Sequence, residues 1–153
     1  MTNNAANRAG AMTPRQRWMQ VLARAGEDLM AHSVELRQSK HRFIRPSEVG
    51  MVMVRGRIGA TGAPFNLGEM TVTRCVVQLD EGSTGYSYVA GRSKPHAELA
   101  ALADAHLQGD SAAHWMATLI EPIAQAQSAD AARSAAQTGA TKVDFVTMAR
   151  GED

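Results

Sequence analysis

The chain has 153 residues, of which 44% are hydrophobic and 20% charged, and sixteen basic and fifteen acidic residues leave a net charge of +1. This composition fits one globular domain with a buried core, and the charge balance argues against an obligate nucleic-acid binder. The single cysteine excludes an intrachain disulfide framework, and no apolar run reaches the roughly 20 residues that span a bilayer. We therefore expect a cytoplasmic protein with a flexible tail at residues 1–12 and one domain at 13–153.

Two helices are predicted at the start of the domain. Thr13 can cap the first helix, Pro14 suits its first position, and Gln16 stands where a capping box has its amide. An apolar face follows at helical spacing, and Gly26 can end this helix. A second helical stretch is predicted from Asp28 to Gln38.

The middle of the chain alternates between glycines and β-favouring runs. Strands are predicted at Arg42–Pro46, Met51–Ile58, Met70–Leu79 and Tyr86–Ala90, with a turn near 47–50 between the first two. Short loops join these strands, so an antiparallel sheet is favoured over parallel strands with crossover helices.

Helical spacing returns after Ser93 and ends near Gly109. A further helix is predicted after Ser111, with an interruption at Pro122, and an alanine-rich helix extends over residues 124–140. The run Val143–Met148 is predicted to be a short strand or extended arm. The predicted fold class is therefore α+β, an antiparallel sheet of about four to five strands flanked by N-terminal and C-terminal helices.

The first candidate for binding an anion or a partner is the loop that contains Gly59, Thr61 and Gly62. Glycine lets a backbone turn its N–H groups toward an anion, and Arg55 and Arg57 could supply charge beside it. The loop lacks the lysine and hydroxyl residue of a P-loop, and a plain hairpin connection explains the same glycines.

The second candidate is Arg74, which strand alternation places on the same face as Val72 and Val76. A charge among valines needs an anion beside it. An internal salt bridge with Glu69 could supply that anion, and so could an external phosphate or carboxylate.

The third candidate is the passage from strand to helix that carries Arg92, Lys94 and His96. A helix N-terminus attracts phosphate, and these three basic side chains would strengthen the attraction. Ser93 can cap the same helix without any ligand.

The sequence shows no complete active site. Its five histidines lack metalloprotease spacing and have no cysteine partner, so no metal is predicted. We expect His106 to be a core residue, Cys75 to pack as a small hydrophobe and Asp104 to be a solvated helix residue.

Four stretches stand together in a characteristic order and spacing. They are Arg17–Ala23, Gly59–Arg74, Gly85–Glu98 and Lys142–Gly151. Together they resemble the PhnG family, a subunit of the bacterial carbon–phosphorus lyase system. The likeness spans nearly the whole chain, from Thr13 to Asp153, although residues 108–141 carry little of it.

The resemblance implies a subunit that sits with PhnH, PhnI and PhnJ in a core complex for the use of phosphonates. With PhnH, PhnI and the ATP-binding-cassette-like PhnL, such a subunit supports displacement of adenine from MgATP by methylphosphonate. The product is α-D-ribose 1-methylphosphonate 5-triphosphate. The family also implies an intertwined homodimer, no cofactor bound by this chain alone and no activity of the isolated chain.

The resemblance transfers no catalytic residue. Our hypothesis is that Arg55, Arg57, Arg74, Arg92 and Lys94 include contacts to a triphosphate or to acidic residues of a partner. A stand-alone enzyme that uses the 59–62 loop stays an alternative. A single-stranded nucleic-acid module that uses Arg42, Phe43 and Arg45 is another, although aromatic residues make up only 5% of the chain.

Overall fold

The computed structural model describes residues 12–59 and 61–143. They form helices and strands in the order α1 (Pro14–Leu22), α2 (Gly26–Ala31), α3 (Ser33–Arg37), β1 (His41–Arg57), β2 (Pro64–Leu79), β3 (Thr84–Ala90), α4 (Lys94–His106), α5 (Ala112–Trp115) and α6 (Glu121–Ala140). A π-helical segment, Met116–Ile120, joins α5 to α6. The predicted α+β class, with helices before and after an antiparallel sheet, is confirmed.

The first helix begins as its sequence predicts. Thr13 Oγ1 accepts a hydrogen bond from the Gln16 N–H, and Gln16 Oε1 accepts one from the Thr13 N–H, so the capping box is complete. The helix ends at Leu22, and Gly26 begins α2 instead of ending α1. The second predicted helix is divided into α2 and α3 at His32, whose ring meets the Trp115 ring edge-on.

The sheet has three strands among the described residues, in the order β1-β2-β3, where four to five had been predicted. The first two predicted strands are one strand, because residues 48–50 stay paired with β2 instead of turning. Bulges before Arg45 and before Glu48 absorb the irregularity around Pro46, which has no N–H to give to a ladder. Val143 is not in a strand, and the rest of the predicted C-terminal strand, 144–148, lies outside the described residues.

Helix α4 is the centre of the core. It covers one face of the sheet and contacts α1, α2, α3 and α5 on its other sides, so it is buried nearly all round. The approach of β3 to this helix requires Gly85, because a Cβ there would collide with the backbone carbonyl of Ala101. The cluster around α4 includes Leu22, Leu29, Leu36, Cys75, Val77, Leu99, Leu102 and Leu119.

The predicted interruption at Pro122 takes the form of a π-helical turn. Proline has no N–H for an intrahelical bond and its ring displaces the preceding turn, so the helix widens over Met116–Ile120 and continues as α6. The alanine-rich helix is present, and its residues 128–140 are all exposed. Within the described residues, no helix combines the length and the apolar character needed to cross a membrane.

Candidate functional site

A two-stranded arm extends beyond the rest of the sheet. It consists of residues 50–58 and 64–70, and within residues 12–59 and 61–143 no third strand pairs with it, because β3 ends at Ala90, opposite Val72. Its large apolar side chains are exposed by 40–73%, and they are Met51, Met53, Ile58, Phe65, Leu67 and Met70. A two-stranded ribbon is only marginally stable in water, and exposed apolar surface of this kind marks interaction sites. The arm is therefore a candidate surface for another polypeptide.

The loop at the tip of the arm is closed by its own hydrogen bonds. Thr61 N–H donates to the Gly59 carbonyl at 2.8 Å, and Gly62 N–H donates to the Ile58 carbonyl at 2.9 Å. Gly59 has a φ of 58°, and Arg57 Nη1 donates to the Gly62 carbonyl at 3.0 Å. These two amides are used within the turn and are not available to an anion, whereas the Arg55 and Arg57 side chains bring cationic donors to the tip.

Arg74 forms a salt bridge with an acidic residue of the same chain. Its Nε lies 2.7 Å from Glu48 Oε1, and Arg45 Nη1 lies 3.4 Å from the same oxygen. The internal salt bridge considered for Arg74 is thus present, with Glu48 in the role that the sequence suggested for Glu69. Strand register explains the difference, because Glu48 pairs directly with Arg74 across the sheet whereas Glu69 pairs with Met53.

The passage from β3 to α4 separates its three basic residues. Ser93 Oγ accepts a hydrogen bond from the His96 N–H at 3.4 Å, so it caps α4. The His96 ring is buried, and its Nε2 lies 2.8 Å from the Leu22 carbonyl oxygen. Arg92 and Lys94 are exposed and make no ion pair with any residue in 12–59 or 61–143.

The predicted contact residues therefore fall into two groups. Arg55 and Arg57 flank the tip loop, whereas Arg74 lies ten residues along β2 from Pro64, the partner of Arg57. At roughly 3.3 Å per strand residue, that separation is about 33 Å. The second group is Arg74 with Arg92 and Lys94, because Gly91 N–H donates to the Thr71 carbonyl and so holds this end of β3 beside β2.

An open groove lies on the outer face of the sheet, opposite α4. Its volume is about 750 Å³, and Arg45 and Arg74 line it together with Ile44, Tyr86 and Tyr88. Sequence reasoning did not select the two tyrosines, although the alternation in Tyr86-Ser87-Tyr88 already places both on one face. The groove joins cations, aromatic rings and apolar groups, a combination that is suited to contact with another protein.

The structure corrects the expectation for Asp104. Its carboxylate is fully buried and accepts hydrogen bonds from Arg15, from Trp18 Nε1 at 2.8 Å and from the Tyr86 N–H at 2.9 Å. Gln108 Nε2 also lies 3.2 Å from it. Asp104 is buried because α4 has neighbours on every side, so its polar face is covered as well.

Arg15 completes this network at the protein surface. Its Nη2 lies 2.7 Å from Asp104 Oδ2, and its guanidinium group lies 5.5 Å from the centre of the Tyr86 ring. The hydrogen bond to Asp104 raises the pKa of Arg15 above its usual value, although burial acts in the opposite direction. The network ties α1 to α4 and β3, and it leaves the carboxylate engaged by protein groups.

The remaining reactive groups have structural surroundings. His106 is buried beside Trp115, with ring centres 5.4 Å apart, and Cys75 is fully buried, as expected for both residues. Burial raises the pKa of the Cys75 thiol to about 11, so the thiol stays protonated near neutral pH. The part of the chain that the structure describes contains no group of three His, Cys, Asp or Glu residues placed to hold a metal ion.

The residues of the nucleic-acid alternative lie at the start of β1. Arg42 is hydrogen-bonded to the Gln78 side chain, and the Phe43 ring meets the His41 ring edge-on with centres 5.6 Å apart. Arg45 forms the ion pair with Glu48 described above. These contacts leave Phe43 half exposed, so it is the one aromatic residue of this alternative that could stack on a base.

Two comparisons connect the chain with known proteins. Residues 13–151 match the family model described as phosphonate metabolism protein PhnG. The chain is also 45% identical, over 143 residues, to the α-D-ribose 1-methylphosphonate 5-triphosphate synthase subunit PhnG of Rhizobium meliloti (strain 1021), and the match covers 91% of this chain and 90% of that protein.

Proposed function

Because the chain belongs to the PhnG family, we propose that it is the corresponding subunit of an α-D-ribose 1-methylphosphonate 5-triphosphate synthase. In this role it supports transfer of the ribose triphosphate moiety of MgATP to methylphosphonate, with release of adenine. The chain is a non-autonomous part of this transferase, it binds no cofactor of its own, and it works in the cytoplasm. MgATP is a substrate of the assembly.

The exposed apolar arm is the observation that carries this proposal. Six large apolar side chains project from a ribbon that has no third strand among the described residues, and their exposure costs solvation free energy that a partner would remove. A monomeric enzyme of this size would have no use for such a surface, whereas a chain that assembles with other chains needs one. We assign the arm to a second copy of the chain in an intertwined homodimer, and neighbouring surfaces to PhnH-, PhnI-, PhnJ- and PhnL-like subunits.

The described reactive groups support the same conclusion. Among the described residues, the one fully buried carboxylate is Asp104, which accepts hydrogen bonds from four protein residues, and the Cys75 thiol is buried and protonated. Neither group is free to act as a general base or nucleophile. We assign the reacting groups of the transfer to other subunits.

The cations have different roles in this proposal. Arg92 and Lys94 are exposed without acidic partners among the described residues, so they are suited to acidic residues of a partner or to phosphate. Arg55 and Arg57 provide the same chemistry at the tip of the arm. Arg74 fixes the wall of the groove through its ion pair with Glu48. Because this pair neutralises its charge, Arg74 attracts an external anion less strongly than Arg92 and Lys94 do.

Charge reversal tests the role of these cations. We expect Arg55→Glu combined with Arg57→Glu, or Arg92→Glu combined with Lys94→Glu, to lower adenine release by the reconstituted assembly at least tenfold. The matched control is Arg133→Glu on α6, whose ion pair with Asp130 is exposed to solvent and worth little. If both double variants assemble and release adenine like the control, these residues do not contact triphosphate or partner.

A further inference from the structure

Strand β3 is an edge of the sheet, and its backbone alternates in a fixed way. Gly91 N–H donates to the Thr71 carbonyl, and Leu79 N–H donates to the Ser83 carbonyl. In an antiparallel pair every second residue makes the ladder bonds, so Ser87 and Val89 point their backbone groups at β2. Tyr88, between them, directs its N–H and C=O away from the sheet.

Side chains bond only the first part of this edge, from Asp104 in α4 and from Gln108 just after that helix. Asp104 Oδ2 accepts from the Tyr86 N–H at 2.9 Å, and Gln108 Nε2 donates to the Thr84 carbonyl at 2.9 Å. No residue in 12–59 or 61–143 provides a hydrogen bond to the outward backbone groups of Tyr88. The outward backbone groups are therefore hydrogen-bonded at the start of the edge, whereas those of Tyr88 are available to another chain.

A cavity of about 250 Å³ lies beside the open part of the edge. One wall is formed by the end of α1 and the residue after it, through Met19, Gln20, Leu22 and Ala23. Residues 86–89 of β3 form the opposite wall, and Ala100 of α4 closes the cavity. The buried Ser87 hydroxyl, on the wall of this cavity, has no hydrogen-bond partner among the described residues. The cavity shares Met19 and residues 86–88 with the outer groove, so both spaces border the same stretch of edge.

We propose that an extended segment of a partner subunit adds to the sheet at Tyr88 and fills this cavity. The segment pairs with the Tyr88 N–H and C=O, as in other cases of strand addition at a sheet edge. In the added segment, the side chain opposite Tyr88 lies on the same outer face of the sheet as the Tyr88 ring. The side chain of the next residue lies on the inner face, toward Leu22 and Ala100. An aliphatic side chain at that adjacent position occupies the cavity.

Charge complementarity defines the partner further. Arg92 and Lys94 follow the open edge directly and have no acidic partner among the described residues. The segment therefore carries an acidic residue next to its aliphatic residue. An extended chain matches this edge better than a nucleotide base, because its backbone groups recur every second residue, as those of Tyr88 and Ala90 do.

This inference rests on the proposed membership in a multisubunit synthase, and a proline substitution tests it. Tyr88→Pro removes the outward N–H and blocks the edge, yet it breaks no bond to β2, and proline is tolerated on edge strands. Tyr88→Ala removes the ring and keeps the amide, so it is the matched control. Each variant is co-expressed with an equal amount of the wild-type chain and the tagged partner subunits, and intact mass spectrometry measures their ratio in the purified assembly.

We expect Tyr88→Pro to be at least tenfold depleted relative to the wild-type chain, and Tyr88→Ala to be incorporated almost equally. Equal incorporation of both variants overturns the proposal, and so does preferential binding of MgATP at this edge in a titration of the isolated chain. Thermal unfolding of both purified variants shows whether Tyr88→Pro folds.

Hydrogen exchange of the wild-type chain keeps the test decisive if Tyr88→Pro is unfolded. Exchange in residues 86–92 is expected to slow at least tenfold on assembly. An assembly that forms with unchanged exchange there overturns the edge proposal alone. If the partner subunits do not bind the chain at all, both this inference and the proposed function are overturned.

Discussion

Arg15 Nη2 lies 2.7 Å from Asp104 Oδ2, although the two residues are 89 positions apart in the sequence. This ion pair joins the first helix to the central helix, and Trp18 and the Tyr86 backbone bond to the same carboxylate. The position of α1 over the edge of β3, and with it the cavity beside Tyr88, depends on this contact.

Removal of this carboxylate is predicted to destabilise the fold. Asp104→Ala leaves Arg15, the Trp18 N–H and the Tyr86 N–H without their acceptor, at a cost of about 3 kcal/mol in the free energy of unfolding. Urea unfolding followed by circular dichroism measures this cost. The control is Asp130→Ala on α6, which should change stability by less than about 0.5 kcal/mol. Equal stabilities of the two variants would show that the network does not hold α1.

The close approach of β3 to α4 gives a second prediction. Gly85→Ala places a methyl group against the Ala101 carbonyl and the Ala105 backbone, so it should lower the free energy of unfolding by about 2–3 kcal/mol. Gly50→Ala is the matched control, because a Cβ at Gly50 meets no atom within 4 Å. Comparable unfolding midpoints for both variants would contradict the close packing of β3 at Gly85 against α4.

The buried thiol gives a prediction about pH. The folded state raises the pKa of Cys75 to about 11 from an ordinary value of 9.0, so folding favours the protonated thiol. Its contribution to stability is complete below pH 9 and is lost as the pH rises toward 11. Wild-type stability should therefore fall more steeply than that of Cys75→Ala between pH 9 and pH 11, measured by urea unfolding at each pH. Parallel curves would mean that Cys75 is not buried in solution.

The arm gives a prediction about oligomeric state. Met51→Asp combined with Met53→Asp places two charges on the exposed apolar face, and we expect this change to raise the dissociation constant of the proposed homodimer at least tenfold. Light scattering after size-exclusion chromatography measures this change. Val34→Asp is the control, since Val34 is also an exposed apolar residue but lies on α3. A wild-type chain that is already monomeric at all concentrations would contradict the assignment of the arm.

The sequence was sufficient for the features that depend on local chemistry. The capping box of α1, strand β3, strand β2 from Met70 onward and the packed position of Cys75 follow from residue type and alternation, whereas residues 64–69 of β2 were not predicted as strand. The continuity of β1 through residues 47–50 could not be predicted, because Pro46 and Gly50 locally favour a turn and only pairing with β2 overrides that preference.

The contacts of charged residues depended on long-range register and were the least predictable part. The partner of Arg74 is Glu48, 26 residues away, because the register of β1 against β2 brings the two together. Asp104 looked solvated, since a helix with neighbours on all sides does not show an apolar stripe that reveals which polar residue is buried. Both contacts required the tertiary structure.

The central claim, that the chain acts only within an assembly, is tested most directly by measuring adenine release from MgATP in the presence of methylphosphonate. The assay compares the purified chain, the partner subunits without it, and the reconstituted mixture, with chromatography of free adenine as the readout. The account predicts that adenine is released only by the reconstituted mixture, and not by the purified chain or by the partner subunits without it. Turnover by the isolated chain, or an unchanged rate when the chain is omitted, would contradict it.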